Sequence, residues 1–237
     1  MTSFFGNLLG GLLKLVFDII SNIGTESEFF SYYGLAIVLT TIIFRLILLP
    51  IGIQQSRSTR KMQELQPKIQ EIQKKYKNDP QTQQAKMMQL YKENNYNPAS
   101  SCIILLIQFP ILLAFFSVLR DPVRFVFKDP SVYEAINKGF LWLPNLEQPD
   151  PYIWGLPLIA ALTTFLQSKV MSLNVESNPQ TESTQRVMNL FLPVMIFLAA
   201  RSFASGVSLY WVVSNLFQIV QQLIINRSLG KIKEETR

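Results

Sequence analysis

The chain has 237 residues, of which 49% are hydrophobic and 16% are charged, against about 25% charged residues in an average soluble domain. This composition indicates an integral membrane protein. One cysteine and no histidine exclude a disulfide framework, a Cys/His metal cluster and a histidine-dependent triad. The sequence has no GxxxxGK[ST] or GxGxxG motif, so we expect no nucleotide, metal or other cofactor. The net charge of +6 is attributed to membrane orientation rather than to DNA binding.

Residues 1–33 are predicted to form an amphipathic segment that lies in the membrane interface. Asn7, Gly11, Lys14 and Asp18 recur at helical spacing and mark one polar stripe. The opposite side is apolar and consists of Phe5, Leu8, Leu9, Leu12, Val16 and Ile19. A sixth membrane span and an uncleaved signal segment are the alternatives.

Residues 34–53 form an apolar run of 20 residues, which is long enough to cross a bilayer as the first span. Arg45 lies about 17 Å along this run, where a guanidinium costs at least about 2.5–3.5 kcal/mol. All 16 Asp and Glu residues lie outside the five apolar runs of the chain. We therefore expect Arg45 to face a wet cavity within the bilayer and to attract anionic groups.

Residues 54–97 are predicted to form a helical hairpin in the cytoplasm. They carry nine basic and four acidic residues, with a heptad-like apolar stripe and a helix break at Asp79-Pro80. We expect a docking surface there that contains Arg57, Lys61, Met62, Lys68, Lys74 and Lys75. Ordinary solvated charges are the alternative for the basic residues, and packing between the two arms is the alternative for Met62.

Four more spans are predicted, at residues 98–119, 153–171, 187–203 and 205–226. An extracytoplasmic loop at 120–152, a cytoplasmic loop at 172–186 and a basic cytoplasmic tail at 227–237 connect or follow them. This arrangement puts 15 basic residues on one side and six on the other. The positive-inside rule then gives five spans, with the N-terminus outside and the C-terminus inside.

Uncharged polar residues recur on one face of the fifth span and also occur in the first three. They predict a hydrophilic groove that opens toward the cytoplasm and contains Arg45, Thr41, Gln108, Thr164, Gln167, Ser208, Trp211, Asn215 and Gln218. Such residues also serve as hydrogen-bonding groups between spans, which is the alternative interpretation. The buried arginine favours the groove.

Five motifs in this order resemble the YidC/SpoIIIJ membrane protein insertases and their organellar Oxa relatives. The motifs are TTIIFRLILLP, LQPKIQEIQKKYKND, NPASSCIILLIQFPI, RVMNLFLPVMIF and GVSLYWVVSNLFQ. The resemblance covers residues 34–227. The chain departs from the family after Asn97, where members often have a glycine and a second proline. The lipidated cysteine of many Gram-positive members and the periplasmic domain of Gram-negative members are not seen before residue 34.

The resemblance implies a non-enzymatic insertase of the bacterial plasma membrane that acts on nascent membrane proteins. Possible further partners are the ribosome and the Sec translocon. Arg45 matches the family's groove arginine, which attracts acidic substrate segments, and Gln167 and Trp211 match groove-lining positions. A small-anion transporter or channel is the alternative function, although no inverted repeat is evident. An intramembrane protease would need paired aspartates or metal ligands, which the apolar runs lack.

Overall fold

The structure is a computed structural model that describes residues 2–27, 29–97, 99–172 and 187–235. Within these residues the chain is helical, which confirms the predicted all-α class. The α-helices are α1 (Thr2–Ile23), α2 (Tyr32–Ile47), α3 (Leu49–Lys75), α4 (Pro80–Glu93), α5 (Ala99–Arg120), α6 (Pro130–Ala135), α7 (Leu156–Ser172), α8 (Leu192–Ala200) and α9 (Ser205–Glu235). Two π-helical turns, Val123–Phe127 and Val187–Phe191, complete the described elements.

The apolar stretch that contains Arg45 is divided between two helices. The Ser31 hydroxyl caps α2 by accepting a hydrogen bond from Gly34 N at 3.1 Å, and α2 ends at Ile47. Helix α3 begins at Leu49 and bends away by 61°. Pro50 explains the break, because it has no N–H to donate to the carbonyl of Leu46 and its ring crowds that carbonyl. The sequence-based span at 34–53 treats this stretch as continuous, whereas the structure turns at Leu48.

Helices α3 and α4 form an antiparallel hairpin with a small core of its own. Asp79 caps α4 by accepting from Thr82 N at 3.1 Å, and hydrogen bonds from the Thr82 hydroxyl and from Thr82 N hold the pKa of its carboxyl below the usual value. Pro80 opens α4, where a missing N–H costs nothing. The core of the hairpin consists of Leu65, Ile69, Leu90, Tyr91 and Tyr96, with Met62, Ile72 and Met87 packed against it.

The main core lies where α1, α2, α5 and α9 meet. Leu13 of α1 is fully buried, and Gly10 lets α1 approach the first π-helical turn so closely that a Cβ would lie 2.2 Å from the Phe125 carbonyl oxygen. Phe115 of α5 stacks on Tyr210 of α9 with ring centroids 4.0 Å apart. Phe115 also meets Phe44 of α2 edge to face, at 5.8 Å. Helix α9 is thus held against α2 and α5 on one side, and it packs against α7 on another.

Two helices among the described residues have the length and composition to cross a membrane, namely Phe4–Ile23 and Ser205–Arg227. The bent pair α2 and α3 supplies a third if it counts as one span. Shorter apolar helices occur at Pro110–Arg120, Leu156–Met171 and Asn189–Ala200. The five-span topology, its orientation and the interfacial position of residues 1–33 remain predictions. Most of the predicted loop at 172–186 lies outside the described residues.

Candidate functional site

Arg45 lies in the last turn of α2, directly before the bend at Leu48. Its side chain is half-buried, and its guanidinium donates a hydrogen bond to the Tyr210 hydroxyl on α9. Thirteen residues separate Arg45 from the start of α2, which corresponds to about 20 Å at 1.5 Å per residue. The cation is therefore held near one end of a short apolar helix, beside a neutral phenol that orients it without cancelling its charge.

Tyr210 is a contact that the sequence analysis did not predict. The residue is 1% exposed, and its ring is fixed by the stack on Phe115. Nothing in the local sequence pattern distinguishes a tyrosine that contacts an arginine from one that anchors a span. Thr41, one turn before Arg45, is also buried, and its hydroxyl donates to Ile37 O at 2.7 Å.

Five predicted groove residues of α7 and α9 meet one another and Thr163 in what we call the polar seam, formed by Thr163, Thr164, Gln167, Trp211, Asn215 and Gln218. Trp211 Nε1 donates to Thr164 Oγ1 at 3.0 Å, and Gln167 Nε2 donates to Gln218 Oε1 at 2.9 Å. In the amide orientation that satisfies both of its ends, Asn215 donates to Gln167 Oε1 at 3.0 Å. Thr164 and Asn215 are each 3% exposed. Hydrogen bonding between spans, the alternative interpretation of these residues, accounts for these contacts.

The buried hydroxyls of Thr40, Ser208 and Ser214 lie outside the polar seam. Within the described part of the chain, Thr40 Oγ1 and Ser208 Oγ make no hydrogen bond. The Ser214 hydroxyl lies beside Tyr210 but makes no hydrogen bond of ordinary geometry. Ser208, a predicted groove residue, lines a small apolar pocket between α7, α8 and α9 with Ala160, Ala199 and Trp211. The side chain of Gln108 lies outside the described residues.

Helix α3 is tied to the end of α7 and to the middle of α9, a connection that the sequence pattern did not predict. Ser56 Oγ donates to Gln222 Oε1 at 2.7 Å, and Gln63 Nε2 donates to the carbonyl oxygen of Met171 at 3.0 Å. A Cβ on Gly52 would lie 2.4 Å from the Gln221 side chain, so the start of α3 approaches α9 closely. The start of the hairpin therefore crosses one end of the helix bundle.

The predicted docking residues of the hairpin occupy different environments. Arg57, Lys68, Lys74 and Lys75 are exposed. Lys61 is half-buried and donates to Asn95 O at 3.0 Å, which gives it a structural role. Met62 packs against the hairpin core, as the alternative interpretation expected. In the residues that the structure covers, no group of three or more Cys, Asp or Glu residues is placed to hold a metal ion.

Comparisons with known proteins identify the family. Residues 25–233 match the family model described as the 60Kd inner membrane protein. The chain is 39% identical over 234 residues to the membrane protein insertase YidC of Clostridium perfringens, covering 94% of each protein. It is 37% identical over 255 residues to that of Enterococcus faecalis, covering 96% of this chain and 87% of the relative.

A solved structure agrees with these matches. The crystal structure described as an active YidC insertase with the first transmembrane domain resolved aligns with a TM-score of 0.62 and 29% identity. The alignment covers 90% of this chain and 45% of the crystallised chain, so this protein spans less than half of that relative's length. The motifs, the helical fold and these matches together show that the chain belongs to the YidC/Oxa family and is a bacterial, multi-pass, non-enzymatic membrane protein insertase.

Proposed function

We propose that this protein inserts nascent membrane proteins into the bacterial plasma membrane, alone or beside the Sec translocon, by attracting acidic segments of the substrate to Arg45. One feature supports this mechanism above the others: a half-buried arginine lies in the last turn of a helix of only 16 residues, before a 61° bend. At 1.5 Å per residue, α2 measures about 24 Å, which is less than the roughly 30 Å of a bilayer core. A helix of this length that starts at one membrane surface ends within the bilayer core, and Arg45 then lies about 20 Å from that surface.

The charge of Arg45 supplies an attraction of useful size. Two unit charges 4 Å apart interact with about 4 kcal/mol at an effective dielectric constant of 20. That energy biases a substrate toward a transient position without trapping it there. Because Tyr210 is neutral and fixed against Phe115, it can position the guanidinium for an incoming carboxylate.

The apolar part of the substrate needs a separate path. Exposed apolar side chains flank the polar seam on α7 and α9, namely Leu162, Phe165, Leu166, Leu216, Val220 and Leu223. We propose that the substrate helix moves along this surface into lipid. Burial of its apolar surface, at about 25 cal/mol per Å², provides the free energy, so no chemical step is required.

The mechanism is tested with one substrate in two versions, one with an acidic translocated segment and one with a neutral segment. We expect Arg45→Ala to abolish most insertion of the acidic version, and Arg45→Lys to retain it because the charge is kept. Protease protection of the translocated segment in proteoliposomes measures both. Arg201→Ala, which removes an exposed arginine from the turn between α8 and α9, is the matched control and should insert normally. Equal insertion of the acidic version by Arg45→Ala and by the unmodified protein would exclude a charge-based role.

We further propose that the exposed basic residues of the hairpin dock a translating ribosome. Replacing Lys68, Lys74 and Lys75 with glutamate should reduce ribosome co-sedimentation and weaken its dependence on salt, because fewer phosphate contacts remain. Arg60→Ala is the control, since Arg60 pairs with Glu64 at 3.5 Å within α3. Unchanged binding by the triple variant, or unimpaired insertion after deletion of residues 60–92, would make the hairpin dispensable for docking.

A further inference from the structure

A tight turn in the loop before α7 carries two apolar side chains at its tip. Phe140 N donates to Leu143 O at 2.8 Å and Leu143 N donates to Phe140 O at 2.9 Å, so Leu141 and Trp142 occupy the central positions. The backbone of Leu141 has φ of 55°, in the left-handed region that glycine or asparagine normally fills in such turns. That conformation is less favourable for a residue with a Cβ than for glycine. A turn that faced only water would gain nothing from this leucine.

The turn is held rigidly in its outward position. Leu141 N donates to the Phe29 carbonyl oxygen at 2.6 Å, and the Phe30 ring packs edge to face on Phe140 at 5.6 Å. Trp142 Nε1 donates to Asp150 Oδ2 at 3.0 Å. The same carboxylate accepts from Leu156 N at 2.7 Å and so fixes the start of α7. The side chains of Leu141 and Trp142 are therefore exposed on a rigid turn, and flexibility of the loop does not explain their exposure.

The apolar surface extends beyond the turn. Leu141 and Trp142 are 38% and 41% exposed, and Trp154 is 78% exposed just before α7. With Phe29 and Tyr152, which are also largely exposed, these residues form what we call the aromatic rim. Ile153, beside Trp154, and Leu162 of α7 are exposed as well, so the rim continues into the apolar surface of α7.

We propose that the aromatic rim lies in the headgroup region of the bilayer and binds lipid. Tryptophan and tyrosine favour this region because their rings are apolar and their N–H or O–H groups are polar. Continuity with the apolar surface of α7, in a multi-pass membrane protein, favours lipid over a protein partner. The assignment requires neither the Arg45 mechanism nor a particular orientation. Because Phe29 precedes α2 directly, the rim also sets the depth of Arg45, about 20 Å further along the helix.

Tryptophan fluorescence tests the position of the aromatic rim in the bilayer. The chain has three tryptophans, so each can be studied alone after the other two are replaced. One variant keeps only Trp142 (Trp154→Phe with Trp211→Phe), and another keeps only Trp154 (Trp142→Phe with Trp211→Phe). In vesicles of phosphatidylcholine and phosphatidylglycerol, we expect bromines near the lipid headgroup to quench both tryptophans more than bromines near the chain end. The variant that keeps only Trp211, which lies in the polar seam, is the control and should not show this order. Circular dichroism checks that each variant is folded.

Two results would overturn the proposal. The first is that Trp142 and Trp154 emit at the wavelength of the unfolded chain, are quenched by acrylamide in solution and are not quenched by brominated lipid. The second is protection in native membranes but not in lipid vesicles, which would mean that a protein covers the rim. A further variant, Leu141→Gly, suits the backbone while it removes the apolar side chain. It should shift Trp142 emission to longer wavelength without lowering the melting temperature, and an unchanged emission would show that Leu141 does not contact lipid.

Discussion

The two sides of α9 use similar residues for different purposes. Toward α7, Asn215 and Trp211 are joined to Thr164 and Gln167 by hydrogen bonds of 2.9–3.2 Å. Toward α2, Tyr210 meets the guanidinium of Arg45, and the Ser214 hydroxyl has no partner of ordinary geometry. On the α7 side, the polar groups are hydrogen-bonded between helices. On the α2 side, the Ser214 hydroxyl can still form a hydrogen bond of ordinary geometry.

This difference shows how one helix can combine stability with a binding site. The hydrogen bonds of the polar seam hold α7 against α9. Water and substrate have little access to these hydrogen-bonding groups, because Thr164 and Asn215 are almost fully buried. A cation beside a neutral phenol, with buried hydroxyls nearby, is suited to water and to a passing carboxylate. We therefore propose that substrate attraction occurs on the α2 side of α9, whereas the α7 side holds the helices together.

The largest loss of stability is expected from Asn215→Leu combined with Thr164→Val. This double variant removes the centre of the polar seam on the α7 side of α9. Interhelical hydrogen bonds in membranes contribute about 0.6 kcal/mol each, and at most about 1.7 kcal/mol. The double variant should therefore melt at lower temperature in detergent, while insertion by the folded fraction persists. Loss of insertion with an unchanged melting temperature would instead mean that the seam itself contacts the substrate.

A smaller effect is expected from Ser214→Ala, on the neighbouring residue but on the other side of α9. Removal of a buried hydroxyl that makes no hydrogen bond of ordinary geometry should leave the free energy of unfolding unchanged or slightly increased, since burial of a poorly bonded polar group costs about 1–3 kcal/mol. Thermal melts beside Asn215→Leu provide the matched comparison. A loss of stability as large as that of Asn215→Leu would show that the two sides of α9 are equally well satisfied.

Sequence reasoning predicted the helical architecture and the hairpin better than it predicted contacts. The hairpin break at Asp79-Pro80 could be found because a cap and a proline act locally. Ser214 and Asn215 could not be told apart, because they are adjacent, and which neighbour each one faces depends on how α9 is rotated in the bundle. The turn at Leu141 could not be predicted, because leucine is not a turn-forming residue. Its left-handed backbone, with φ of 55°, is imposed by contacts elsewhere in the fold.

The bend at Leu48 also has a mechanical consequence. Helix α3 has 27 residues and is thus about 40 Å long, and it is tied to α9 and α7 only a few turns from its start, through Ser56 and Gln63. Only 12 residues of α3, about 18 Å, follow Gln63, so the two attachments hold the helix over more than half of its length. A force applied to the far end of the hairpin would therefore reach α7 and α9 through these two hydrogen bonds.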